Sequence, residues 1–112
     1  MNPLRVGFIR EQLSYQFGTN NASASEQLRG LKLLDVGCGG GLLSESLSRL
    51  GADMTSIDPS VENIDVAKEH SLRDPSTSNI NYRATTVEEI CKEEEKFDAV
   101  CSLEVLLIPY GV

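Results

Sequence analysis

Two features of the sequence have residue types and spacing suited to chemistry. The first is Leu34-Asp35-Val36-Gly37-Cys38-Gly39-Gly40-Gly41, an apolar run that ends in an aspartate and a cluster of glycines. A strand that turns sharply into a helix needs residues without Cβ, and a ligand can approach that backbone only where no side chain intervenes. The second is Asp58, at the end of the next apolar run and directly before Pro59. A carboxylate at such a strand end can accept hydrogen bonds from both ribose hydroxyls of a nucleoside. Its local sequence alone also suits the N-terminus of the next helix; its place downstream of the glycine bend favours the ligand role.

The glycine spacing narrows the choice of ligand. In the dinucleotide fingerprint G-x-G-x-x-G, Gly37 and Gly39 fill the first two positions, but the third falls on Leu42. The Gly-Lys-Ser/Thr of a phosphate-binding P-loop is missing from this stretch as well, so the phosphate-cradling variants are weakened. Asp35, just ahead of the glycines, points instead to a cofactor that carries an ammonium group and no phosphate. Cys38, Cys91 and Cys101 are odd in number and match no zinc spacing, so they read as reduced thiols. His70 lies in a helical stretch with no cysteine nearby and reads as a solvated or half-buried helix residue.

The elements that must position these residues can be read from periodicity. Residues 4–17 carry Val6, Ile9, Leu13 and Phe17 on one stripe, predicting an amphipathic helix over 1–17, with a polar linker over 18–30 after it. LKLLDVG (31–37) reads as a strand buried on both faces, the kind found in parallel sheets. Leu43, Leu47 and Leu50 then share a helix face that Gly51 ends. ADMTSID (52–58) is a second strand, and Val61, Ile64 and Ala67 mark a second helix stopped near Asp74-Pro75. INYRAT is a third strand, Thr86-x-x-Glu89 a capping box for a short helix, and FDAVCSLEVLLI (97–108) a fourth strand. This alternation predicts an α/β fold with a Rossmann-like parallel sheet of order 3-2-1-4, occupying 31–112.

Composition sets the outer bounds. A chain of 112 residues is one domain's worth, and its 40% hydrophobic content suffices for a modest core. A formal net charge of −7 disfavours a nucleic-acid binder, which needs a basic face. No apolar run approaches the roughly 20 residues of a membrane span.

Together, LDVGCGGG, SIDPS, TVEEI and FDAVCSLEV resemble the class I S-adenosylmethionine-dependent methyltransferases, and most closely the ubiquinone-biosynthesis O-methyltransferases. The opening NPLRVGFIRE is similar to that family's segment just before the cofactor domain, so the resemblance spans roughly residues 2–105. It implies methyl transfer from S-adenosylmethionine to a phenolic or catechol hydroxyl of a polyprenylated ubiquinone precursor. By the same resemblance Arg5 meets the cofactor's methionine carboxylate, Gly37 and Gly39 let the backbone approach it, and Asp58 holds the ribose. Leu103 lines the site, and Val87 and Glu88 lie near adenine. The family's divalent, magnesium-type metal is held by a Glu-x-x-Glu-His motif after the fourth strand. Here Glu104 matches its first Glu, while Leu107 and Ile108 occupy the next two ligand positions, so the motif is broken.

The family pattern is lost after residue 105, where the chain changes to LLIPYGV. The resemblance therefore implies the N-terminal half of the methyltransferase fold, truncated at both ends and inactive alone. A bare fourth strand would then form an uncharged, apolar sheet edge that drives association. Mitochondrial residence on the matrix face of the inner membrane, with peripheral membrane and biosynthetic-complex contacts, is implied by resemblance only. Two other readings stand beside this one: a noncatalytic module that binds a cofactor or pairs its strand edge with a partner, and an NAD(P)-dependent reductase domain.

Overall fold

A computed structural model of the protein describes residues 27–102 and the backbone of a strand at 105–107. The amphipathic stretch 1–17 and most of the 18–30 linker lie outside the described residues. Leu28, within that linker, is fully buried, and its N–H donates to the Leu50 carbonyl (2.8 Å).

The described elements are β1 (Lys32–Val36), α1 (Leu42–Arg49), β2 (Asp53–Asp58), α2 (Val61–Ser71), β3 (Asn81–Ala84), α3 (Val87–Lys92), β4 (Ala99–Ser102) and β5 (Val105–Leu107). The sheet order is β3-β2-β1-β4-β5, and β1 to β4 run parallel as the sequence predicts. Register pairs Leu33 with both Met54 and Ala99, and Asp35 with both Ser56 and Cys101. Successive strand residues face opposite sides, which accounts for the continuous apolar character of β1. On one face Leu33, Met54, Tyr82, Ala99 and Cys101 pack with Leu43 and Leu47 of α1 and with Ile64 and Ala67 of α2. On the other face Leu34 and Ile57 pack with Ile90 of α3, bordered by Val36, Phe97 and Val100.

Local sequence sets the helix boundaries. Ser60 caps α2 by accepting from the Asn63 N–H (3.2 Å), and Thr86 caps α3 by accepting from Glu89 N–H (3.4 Å). Beyond α2, Asp74 accepts from Ser76 N–H (2.9 Å) and the buried Thr77 hydroxyl donates to the Ser71 carbonyl (2.7 Å), closing the turn that ends the helix. Val61, which spacing places on the apolar face of α2, is 60% exposed and is the first residue of the helix.

The carboxyl end of the sequence departs from expectation. Residues 97–108 are not one strand: β4 ends at Ser102 and β5 returns antiparallel to it, pairing Cys101 with Leu106 and Ser102 with Val105. The fourth strand is therefore not a bare edge, because β5 takes up its outer backbone groups. The expectation of association through an exposed β4 loses its basis.

Candidate functional site

Because β1, β2 and β3 are parallel, their carboxyl ends and the connections leaving them gather at a single edge of the sheet. The glycine bend leaves β1, Asp58 closes β2, and Val87 and Glu88 open α3 just after β3. The bend is pinned at its base, where Ile57 carbonyl accepts from both Gly37 N–H (2.9 Å) and Cys38 N–H (3.0 Å). Gly37, Gly39 and Gly41 all have positive φ (72°, 56° and 86°), the left-handed backbone that side chains disfavour. A Cβ placed on Gly39 or Gly40 meets nothing within 4 Å, so the backbone there faces open space.

Asp58 lies against this bend. Its Oδ2 accepts from Gly39 N–H (3.0 Å) and its Oδ1 from Ser60 N–H (2.8 Å). The side chain thus serves the helix N-terminus and the glycine bend at once, and the two roles weighed from sequence are compatible. Each carboxylate oxygen has two lone pairs, so acceptor capacity remains for two hydroxyls.

Asp35 sits deeper, 3% exposed, beneath the bend. Its Oδ2 accepts from the Ser44 hydroxyl (2.8 Å), and Ser44 Oγ lies 2.6 Å from Ser56 Oγ. Tyr82 reaches from β3 to donate to the Gly41 carbonyl (3.4 Å). Neither Ser44 nor Tyr82 stands out in the sequence, since only folding brings α1 and β3 together under the bend. The same holds for Glu45, which is almost fully buried: it meets His70 Nδ1 at 2.6 Å and Arg49 Nη2 at 3.4 Å, joining α1 to α2. The Glu45 to Arg49 spacing is legible as an i,i+4 pair, whereas His70 is too distant in sequence to predict.

The electrostatics reflect this burial. Desolvation, then the charges of Asp35 and Asp58, push the Cys38 thiol up to about 12. Burial, then the negative charge of Glu45, raises the Tyr82 hydroxyl above its ordinary value. Val87 is 40% exposed and Glu88 is exposed, both at the open edge.

Arg5, Leu103 and Glu104 lie outside the described residues. The residues present do not fit the Glu-x-x-Glu-His metal motif, because Leu107 and Ile108 offer no donor atom on their side chains. Among the described residues there is no group of three or more His, Cys, Asp or Glu that could hold a metal ion, and no helix long and apolar enough to cross a membrane.

A family model described as "Methyltransferase domain" matches residues 34–108. The mitochondrial ubiquinone biosynthesis O-methyltransferase of Arabidopsis thaliana is 49% identical over 106 residues, covering 95% of this chain and 33% of the relative. The ubiquinone biosynthesis O-methyltransferase of Azorhizobium caulinodans is 47% identical over 106 residues, 95% of this chain and 41% of its own. This chain thus spans between a third and about two fifths of the length of these curated relatives. Among solved structures, monomeric WbdD superposes with a TM-score of 0.71 at 29% identity, over 90% of this chain and 23% of that one. The magnesium protoporphyrin IX methyltransferase of Synechocystis, solved with bound SAM, has a TM-score of 0.65 at 22% identity, over 87% of this chain and 41% of its own, a likeness of fold alone.

Proposed function

This chain belongs to the methyltransferase-domain family, and from that premise we propose that it forms the cofactor-binding part of an S-adenosylmethionine-dependent O-methyltransferase. The acceptor is a phenolic or catechol hydroxyl of a polyprenylated ubiquinone precursor, a reading supported by the names of its relatives. The observation that carries the cofactor assignment is Asp58, whose carboxylate rests on the bend 3.0 Å from Gly39 N–H, beside backbone open to a ligand.

When bound, S-adenosylmethionine supplies an electrophilic methyl group on a sulfonium. Asp58 holds the ribose hydroxyls, while Gly37 and Gly39 admit the methionine portion to the backbone. Asp35 presents negative charge to the ammonium end, and Arg5 meets the carboxylate. Val87 and Glu88 flank adenine, and Leu103 lines the site. These are positioning roles, and positioning supplies much of the rate of an in-line displacement. Neither Cys38 nor Tyr82 takes the acceptor's proton at neutral pH, since the surroundings of both favour the protonated form. No step through a metal is assigned, because the donor set does not fit one. Mitochondrial residence is supported by the Arabidopsis relative, and contact with the inner membrane by the prenyl tail of the proposed acceptor.

Isothermal titration with S-adenosylhomocysteine tests the reading. The wild-type chain is expected to bind, and Asp58→Ala to weaken binding about a hundredfold through loss of charge-assisted hydrogen bonds. No heat at millimolar ligand, or binding of NADH in its place, would overturn it.

A further inference from the structure

Beneath the glycine bend lies a buried polar chain with no part in the ligand contacts proposed for Asp58 and the glycines. Ser44 and Ser56 are both fully buried, and neither is adjacent in sequence to the bend. The direction of their hydrogen bonds is fixed by proton count. Ser44 has one hydroxyl proton and gives it to Asp35 Oδ2 at 2.8 Å. The 2.6 Å contact between the two hydroxyls must then be Ser56 donating to Ser44. The order is Ser56 to Ser44 to Asp35, linking β2 through α1 to the carboxyl end of β1. Each donor strengthens the next, because a hydroxyl that accepts a bond polarises the one it donates. A hydrogen bond that ends on a carboxylate is also stronger than one between neutral groups.

We propose that Ser44, backed by Ser56, is a positioning residue that aims the Asp35 carboxylate toward the ammonium end of the bound cofactor. The inference rests on the proposed S-adenosylmethionine site and adds to it a determinant of how the amino-acid end is recognised. Neither serine touches the ligand; both act through Asp35. The nucleoside end depends on Asp58, whose carboxylate accepts from Gly39 and Ser60 N–H and takes no hydrogen bond from Ser44 or Ser56.

That separation supplies the test. S-adenosylhomocysteine carries the ammonium group, whereas 5′-methylthioadenosine keeps the nucleoside and sulfur but has no amino-acid end. Both are titrated against the wild-type chain, Ser44→Ala and Ser56→Ala. Ser44→Ala is expected to weaken S-adenosylhomocysteine about tenfold, the worth of one charge-assisted hydrogen bond, and to leave methylthioadenosine within about twofold. Ser56→Ala should show the same selectivity at about threefold, and it carries the test if Ser44→Ala does not melt cooperatively. A parallel loss of both ligands would mean that the serines merely support the fold, and unchanged affinities would mean that they do nothing for the site; either overturns the proposal. Failure of the wild-type chain to bind S-adenosylhomocysteine would instead sink the cofactor assignment itself, and this proposal with it.

Discussion

Gly41 is the glycine whose replacement has the most calculable consequence. It is the N-cap of α1, with φ of 86°, and a Cβ there would fall inside the contact distance of Tyr82 Oη, 3.0 Å from Tyr82 Cζ and 3.2 Å from Ala67 Cβ. Tyr82 is 4% exposed and fixed on β3, so it cannot swing away without opening the core between the sheet and α2. Left-handed backbone costs a non-glycine residue about 1 kcal/mol, and overpacking a core contact adds about 1–3 kcal/mol. Gly41→Ala is therefore expected to destabilise by about 2–4 kcal/mol, a large part of the roughly 5–15 kcal/mol typical of a domain. With a urea m-value of about 1 kcal/mol/M, the midpoint should fall by about 2–4 M, enough to unfold a marginal chain in buffer. Gly40→Ala is the control: its Cβ meets open space, and the change should stay within about 0.5 kcal/mol. In a Tyr82→Phe background the worst contact disappears, and the cost of Gly41→Ala should shrink by about 1 kcal/mol or more. Equal costs at Gly40 and Gly41, or no relief from Tyr82→Phe, would refute the reasoning.

Two further outcomes are expected. The Cys38 and Cys101 thiols are both pushed up to about 12, in each case by burial first and then by neighbouring carboxylate charge. An unfolded chain releases these protons near about pH 8.5, so between about pH 8.5 and 12 the folded state binds more protons and stability falls as pH rises. The contribution is fully present below that window. The urea midpoint should drop from about pH 7.5 to about pH 10, less steeply in Cys101→Ala; identical slopes in the two proteins would count against it. Separately, removal of residues 105–112 takes away β5 and bares the outer edge of β4. Light scattering should then rise with concentration in the shortened chain, and a shortened chain that stays as monodisperse as the parent would contradict the edge-capping role.

Much of the parallel sheet and of the glycine bend is legible in the sequence for a physical reason. A strand buried on both faces must be apolar throughout, a sharp strand-to-helix turn must be glycine-rich, and Ser60 and Thr86 mark helix starts through their own side chains. Each of these signals is local. The reversal after Ser102 has no such signal: Leu103-Glu104 contains none of the glycine, proline, asparagine or aspartate that usually announces a turn, and residues on both sides favour strands. Residues 97–108 therefore read naturally as one continuous strand, and only pairing with β4 shows the hairpin. Glu45 fails for a different reason. A carboxylate is expected at the surface, and its burial depends on His70 and Arg49 converging on it, which is a property of how α1 packs beside α2.

Asp58 shows how one side chain can meet two demands that look like alternatives in sequence. An aspartate before a helix ordinarily satisfies the first N–H groups, and an aspartate at a strand end of an open α/β sheet ordinarily binds a sugar. Here the N–H groups of Gly39 and Ser60 each take one oxygen of the carboxylate. They hold it in one orientation before any ligand arrives, so ordering that side chain adds little to the cost of binding. The Gly39 bond also ties the bend to the end of β2, which fixes the glycine backbone relative to the carboxylate. Gly39 must remain a glycine under both demands, because its φ of 56° brings its N–H to Asp58 while its missing Cβ leaves the approach open. In the proposed site the acid and the bend therefore act as a single element, and a nucleoside bound there would depend on both.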